Sequence, residues 1–181
     1  MVRKKDLEKE LDRINELLAQ KGHGKQKSST FFILLNSNES PKNDTQVESS
    51  KEYMKEIVKT MGENTEQFIK FKDNSHRFTT EFVDNVNIKF ALEQSRGRKK
   101  KDGTYSEYGG QWHAHVLMTV KHKSNISIDH QALQDLLQPE FNKYYEHNGF
   151  VGAPKWIPDS KVEDYMTKSK DYENGHTWKE I

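Results

Sequence analysis

The 181-residue chain is predicted to be an α+β protein with a central antiparallel sheet of about five strands, flanked by helices, and an extra N-terminal helix. Segments with period-two alternation interleave with segments of helical periodicity, and loops join most of the strands. The 3 Trp, 9 Phe and 7 Tyr residues are enough for a packed core, although 31% of the residues are charged and the mean hydropathy is −1.04.

The composition excludes several classes of function. There is no cysteine, so disulfides, thiolate zinc sites and cysteine nucleophiles are ruled out, and any metal must be held by histidine and carboxylate. No apolar run approaches the roughly 20 residues that a membrane helix needs. The N-terminus also lacks the apolar core of a signal peptide, and we therefore expect an intracellular protein with no membrane partner.

Three segments are expected along the chain. Residues 1–28 form an amphipathic helix (3–20) and a linker, residues 29–175 form the main domain, and residues 176–181 form a C-terminal tail. The apolar stripe of the helix is Leu7, Leu11, Ile14, Leu17 and Leu18. Packing of this helix on its own domain is favoured over a dimerisation helix, because about two heptads are short for a coiled coil.

The main domain alternates strands and helices. Compact apolar or alternating runs predict strands at 30–35, 68–71, 78–83, 86–94, 111–121, 150–151 and 155–157. Periodicity near 3.6 predicts helices at 48–61, at 128–147, and from Asp159 or Ser160 to about Tyr172. A basic, glycine-containing loop spans 96–110.

Two histidines lie in one predicted strand, in the sequence His113-Ala114-His115. Side chains alternate across a strand, so both imidazoles project from one face, while Trp112 and Ala114 point into the core. If the basic loop is a hairpin connection, Glu93 returns beside this pair from the preceding strand. Two imidazoles and one carboxylate would then form a site for a divalent ion with open coordination positions.

The last predicted helix carries the sequence Tyr165-Met166-Thr167-Lys168. Tyr165 and Lys168 are one turn apart on one face, and Tyr172 lies on the same face. The free pKa of a phenol is about 10, so attack by a tyrosine requires help from a neighbouring cation. An ordinary surface pair is the alternative interpretation of these residues.

Taken in chain order, these segments resemble the HUH endonuclease superfamily, and most closely its single-tyrosine replication-initiator (Rep) branch. The segment from Phe32 to Asn38 looks like the family's first motif, whose Asn36 and Asn38 would face DNA. By this resemblance His113 and His115 are metal ligands, Glu93 is placed like the acidic ligand, Tyr165 is the nucleophile and Lys168 is its companion. The resemblance covers roughly residues 30–172 and implies the RRM-like, or ferredoxin-like, fold of the Rep nucleases.

The resemblance implies a metal-dependent, sequence-specific endonuclease for single-stranded DNA. Tyr165 would attack the scissile phosphate at a replication or transposition origin, leaving a 5′-phosphotyrosine and a free 3′-hydroxyl that can rejoin strands. The cofactor would be Mn²⁺ or Mg²⁺. A helicase domain, the host replication machinery and a second copy of the chain are the further partners that this resemblance allows, in the cytoplasm or in a host nucleus.

The densest basic run lies in the loop between the two ligand strands, and its members are Arg96, Arg98, Lys99, Lys100 and Lys101. Residues 96–123 hold seven Lys/Arg against Asp102 and Glu107, although the whole chain carries a formal charge of only +1. This distribution predicts phosphate contacts beside the site, and a merely solvated loop is the alternative.

Two other functions stay open. A transposase or relaxase of the same superfamily would use the same chemistry, although the Tyr-x-x-Lys spacing favours the initiator branch. A non-catalytic nucleic-acid-binding module on an RRM-like sheet would instead stack bases on exposed aromatic residues of the sheet. The histidines and Glu93 on that face argue against the module.

Overall fold

The computed structural model describes residues 26–71, 83–123, 125–146, 149–168 and 179–180. The predicted N-terminal helix (3–20), nearly all of the predicted strand at 78–83, and Tyr172 lie outside the described residues.

The described ranges contain eight strands and three α-helices. The strands are β1 (Lys27–Asn36), β2 (Ile69–Phe71), β3 (Val83–Gln94), β4 (Trp112–His122), β5 (Ile126–Ile128), β6 (Phe150–Val151), β7 (Lys155–Ile157) and β8 (Lys179–Glu180). The helices are α1 (Asp44–Glu63), α2 (His130–Tyr144) and α3 (Asp159–Lys168), and a short 3-10 helix (Thr65–Gln67) follows α1.

The main sheet is five strands wide, and its neighbouring strands run antiparallel. Its order is β8, β3, β4 and β1, and then β6 and β7, which pair with different parts of the outer edge of β1. If β6 and β7 together count as the fourth core strand, the chain follows a βαββαβ path in which the first and third strands are central. This is the ferredoxin-like arrangement, so the predicted fold class is confirmed.

One face of the sheet is packed against α1 and α2, and we call it the helix-covered face. Its side chains alternate along the strands with those of the opposite face, as the pleat requires. They form one core with the buried side of both helices. The central members of this core are Ile33, Leu35, Ala114, Val116 and Met118 from the strands, Ile57 and Met61 from α1, and Leu137 and Phe141 from α2.

Side-chain caps set the first residue of both large helices. Asn43 accepts a hydrogen bond from the Gln46 amide at 2.9 Å, and α1 begins at the next residue. Asp129 accepts bonds from the amides of Gln131 and Ala132 at 3.1 and 3.2 Å. The second helix therefore begins at His130 and not at 128, because residue 128 ends β5.

Two short strands were not predicted. β5 pairs with β2 in a separate two-stranded sheet, and β8 pairs with β3 through Lys89 and Phe90. β8 falls in the segment predicted as a tail. Both strands are too short to show alternation, and neither contains the aromatic residue that marks the equally short β6 and β7 in the sequence.

None of the helices in the described ranges has the length and apolar character needed to cross a bilayer.

Candidate metal centre

A long hairpin connects the two strands that carry the predicted ligands. Its neck is closed by hydrogen bonds from the Ser95 amide to the Gln111 carbonyl at 3.0 Å and from the Gly110 amide to the Ser95 carbonyl at 2.6 Å. A Cβ atom on Gly110 would lie 2.1 Å from the Ser95 Oγ, so only glycine fits at this neck. The inserted residues therefore project from the sheet without changing the register of β3 and β4.

That register brings the three predicted ligands together. Glu93 pairs with His113, and His115 pairs with Ala91 two residues further along the strands. Glu93 Oε2 lies 3.1 Å from His113 Nε2 and 3.2 Å from His115 Nε2. The side chains of Glu93, His113 and His115 are 12%, 17% and 25% exposed, so the cluster is sheltered yet reachable from solvent.

Two of the three pairs of donor atoms have the spacing of ligands on a single divalent ion. Two ligand atoms held about 2.1 Å from one ion, at angles of about 90–109°, are separated by about 3.0–3.4 Å. The distances from the carboxylate oxygen to both imidazole nitrogens fall in this range. All three ligand atoms lie within 4.8 Å of one another. Imidazole and carboxylate donors suit Mn²⁺ and other first-row ions, and a three-ligand set leaves coordination positions for substrate and water.

The two faces of β4 explain why the histidines converge. The residues between and beside them, Trp112 and Ala114, are buried in the helix-covered face, so the core fixes which way the strand faces. We call the other side of the sheet the ligand face. On it, the imidazole rings of His113 and His115 stack at 5.2 Å, and the Phe32 ring meets His115 edge-on at 5.7 Å.

Asn36 lies next to the cluster on the neighbouring strand. It pairs with His113 across β1 and β4, so its side chain is on the ligand face. Its Oδ1 accepts a hydrogen bond from the Asn38 amide at 3.1 Å, which stabilises the turn that follows β1. Asn38 has a φ of 54°, in the left-handed region that asparagine tolerates better than most residues.

The basic run occupies the first half of the hairpin. The side chains of Arg96, Arg98, Lys99, Lys100 and Lys101 are all exposed. The tip is an ordered turn, because the Lys100 amide donates to the Thr104 carbonyl at 2.7 Å and Asp102 accepts bonds from the Thr104 amide and hydroxyl. The bond from the Thr104 hydroxyl is the main cause that lowers the pKa of Asp102 from its usual value.

The basic run begins at Arg96, three residues after Glu93. A cavity of about 390 Å³, lined by Arg96, Tyr105 and Tyr108, separates the hairpin from the start of α1.

The predicted nucleophile and its companion are both in α3. Tyr165 and Lys168 fall in this helix at the spacing of one turn, and α3 contacts β1. The contacts of these two side chains lie outside what the structure describes. Tyr165 therefore stays a prediction from the motif.

Another tyrosine is unsuitable as a nucleophile. Tyr145 is buried, and its hydroxyl donates to the Ser50 carbonyl at 2.7 Å in the core. Burial raises the pKa of Tyr145 far above that of a free phenol. Tyr53 and Tyr144 stack on each other where α1 meets α2, on the side of the sheet away from the cluster.

One residue on the same face as the cluster was not predicted from the sequence. Phe150 in β6 pairs with Asn36 and is 50% exposed. The apolar pair Phe150-Val151 predicts a short strand, but a two-residue strand does not show which side chain faces the core. The register on β1 was the information that the sequence lacked.

Comparison of the chain with protein-family models, with curated proteins and with solved structures found no match. The cluster, the hairpin and the motif on α3 are the features that bear on function.

Proposed function

We propose that this protein is a metal-dependent endonuclease of the HUH type, which nicks single-stranded DNA through a covalent tyrosine intermediate and can rejoin the strand. The observation that carries the proposal is the convergence of Glu93, His113 and His115 at 3.1 and 3.2 Å on one face of an antiparallel sheet. The hairpin that carries the basic run from Arg96 to Lys101 connects the same two strands, which supports a polyanionic substrate.

The residues divide the chemistry among themselves. Glu93, His113 and His115 would hold a divalent ion, which would supply Lewis-acid polarisation of a phosphate oxygen. The Tyr165 Oη attacks the phosphorus and loses its proton, the bond from phosphorus to the 3′ oxygen breaks, and the departing oxygen takes up a proton. The products are a 5′-phosphotyrosine and a free 3′-hydroxyl. The reverse attack restores the strand, because the covalent bond conserves the energy of the phosphodiester.

The cations of the chain assist in two different ways. Lys168, one turn from Tyr165, lowers the free energy of the phenolate or contacts the attacked phosphate. The basic run from Arg96 to Lys101 binds the DNA backbone, as Asn36 and Asn38 do from the end of β1. We propose Mn²⁺ or Mg²⁺ as the ion, since two imidazoles favour Mn²⁺ and cellular abundance favours Mg²⁺.

A non-catalytic RRM-like module is the alternative from another class. Such a module stacks bases on a row of sheet aromatics, whereas the centre of this face carries a carboxylate and two imidazoles. A Glu–His–His cluster without a metal would weaken the binding of nucleic acid, because its carboxylate would repel the phosphates of a polyanion that passes close to it.

The test is the formation of a covalent adduct. The protein is incubated with a random pool of single-stranded oligonucleotides and Mn²⁺, and adducts that survive denaturant are separated by size. We expect an adduct with the wild type and with Tyr172→Phe, and none with Tyr165→Phe, with Glu93→Gln or in excess chelator. Glu107→Gln is the matched control for Glu93→Gln, because Glu107 is an exposed acid in the returning half of the hairpin and is not part of the cluster.

The outcomes separate the parts of the proposal. An adduct that persists in Tyr165→Phe and disappears in Tyr172→Phe would move the nucleophile to Tyr172. An adduct that forms equally well in Glu93→Gln would remove the metal mechanism. If oligonucleotides bind but no adduct forms under any condition, the binding module is the better description.

A further inference from the structure

Phe150 is an exposed aromatic residue at the end of a row of side chains that includes the metal cluster. Register places Phe150 beside Asn36, Asn36 beside His113, and His113 beside Glu93, across four adjacent strands. Directly paired residues project from the same face of a sheet. Two strand spacings separate β6 from β4, so the Phe150 backbone lies about 10 Å from that of His113.

The backbone that carries Phe150 is held on three sides. The Val151 carbonyl accepts a hydrogen bond from His130 Nε2 at 2.8 Å, and the Gly152 amide donates to the Leu34 carbonyl at 2.7 Å. Gly149 packs so closely on Phe141 that a Cβ atom would lie 2.0 Å from that ring. The ring of Phe150 is therefore presented from a fixed strand.

Phe150 is exposed because it lies on the ligand face of the sheet, which the helices α1 and α2 do not cover. Its neighbour Val151 points into the helix-covered face and is only 2% exposed, while Phe150 is 50% exposed. A phenylalanine that is half exposed leaves apolar area in water that a stacked ring would cover. Lys155 in β7 is exposed and pairs with Phe32, so it lies on the same face as Phe150. Its ammonium group is available there to bind a phosphate of the DNA backbone.

We propose that Phe150 is a base-stacking platform, which holds a base of single-stranded DNA next to the phosphate that reaches the Glu93–His113–His115 cluster. Bases stack on aromatic rings regardless of sequence, because every base has a π-face. Phe150 on β6 would hold a base at one end of the row, while the cluster two β-strands away would hold the phosphate of the same DNA. The inference rests on the proposed function, because the occupant of the platform is the proposed DNA substrate.

The test uses oligonucleotides with a single 2-aminopurine, whose fluorescence falls when the base is stacked. Without added metal, we expect Phe150→Leu to weaken binding about tenfold and to abolish the quenching seen at one position of the oligonucleotide. Phe150→Trp should retain both the binding and the quenching, because it keeps an aromatic surface. A merely structural role for Phe150 would not be rescued in this way.

Trp156 provides a matched control. It is 60% exposed on the neighbouring β7 but pairs with Phe31, whose side chain belongs to the helix-covered face. We expect Trp156→Leu to bind and quench like the wild type. Equal weakening by Phe150→Leu and Trp156→Leu, or no effect of Phe150→Leu, would overturn the platform.

The covalent-adduct assay on the same variants separates this inference from the nuclease itself. An adduct in the wild type together with unchanged binding by Phe150→Leu would reject the platform and leave the nuclease. Quenching that depends on Phe150 without any adduct would support the platform and reject the nuclease. If Phe150→Leu instead converts a dimer into a monomer without changing DNA binding, the surface is an interface between copies and the platform is wrong.

Discussion

The two faces of the main sheet are built from alternate residues of the same strands, yet they differ in what holds them in place. On the helix-covered face, Val116 and Met118 are fully buried against two helices, and their contribution is apolar area removed from water. On the ligand face, His113 and His115 of the same strand remain partly exposed and are held by a shared carboxylate. Along β4, each residue of the buried core is thus followed by a residue of the opposite face, which carries the candidate metal cluster.

The largest effect is expected from emptying the helix-covered face. Met118→Ala should lower the free energy of unfolding by about 2–5 kcal/mol, because a fully buried side chain is replaced by a cavity. Urea unfolding monitored by circular dichroism measures this. His113→Ala, five residues away on the other face, should cost clearly less. Equal losses for the two variants would contradict the division between the faces.

An intermediate effect on stability is expected when a metal ion binds the Glu93–His113–His115 cluster on the ligand face. Mn²⁺ at a hundred times its dissociation constant should stabilise the protein by about 2.7 kcal/mol. For a chain of this size, that raises the melting temperature by about 5–10 °C. Glu93→Gln and His115→Ala should show no such rise in a thermal melt, whereas Glu107→Gln should respond like the wild type. A rise of the same size in Glu93→Gln would show that the ion binds elsewhere.

The smallest effect lies away from both faces, at the start of α2. The hydrogen bond from Lys70, followed by those from two backbone amides, lowers the pKa of the Asp129 carboxyl. Asp129→Ala should cost about 1 kcal/mol at pH 7, mainly through the lost helix cap. The folded-state pKa is below the unfolded one, so the charge-dependent part is present above about pH 4 and is lost as the pH falls through the folded value.

Asp129→Asn keeps the cap and removes only the charge, so it isolates that part. Its deficit relative to the wild type, measured by urea unfolding from pH 7 to pH 2.5, should be smaller than that of the alanine variant and should shrink towards zero in acid. A deficit that is constant with pH would mean that the charge of Asp129 contributes nothing to stability.

The sequence predicted that Glu93, His113 and His115 lie together because a strand of eleven residues has a clear period. Trp112, Ala114, Val116 and Met118 mark the buried side of β4, so His113 and His115 have to share the other side. Alternation on β3 assigned Glu93 to that side too. The register, which required a closed hairpin neck, was an assumption in the sequence and is confirmed by the hydrogen bonds of Ser95 and Gly110.

The sequence could not show what depends on contacts between distant short segments. β8 and β5 have two and three residues, and they are strands only because Lys89 and Ile69, among others, supply partners. Phe150 was predicted to lie in a strand but not to face the cluster, because its orientation is set by pairing with Asn36, more than a hundred residues earlier. The role of Tyr165 stays a prediction from its motif.

The closed neck of the hairpin has a consequence for how such a protein can change. Ser95 and Gly110 close the loop where it leaves the sheet, and Gly97, Tyr108 and Gly109 lie against this neck. Residues 98–107 lie beyond these contacts, so they can be added, removed or replaced without displacing Glu93 or His113. Substitutions within residues 98–107 would then change the charge and shape of the loop, while the geometry of the Glu93–His113–His115 cluster stays the same. If the proposed function holds, hairpins of other lengths grafted onto this neck would change the DNA specificity without changing the cluster.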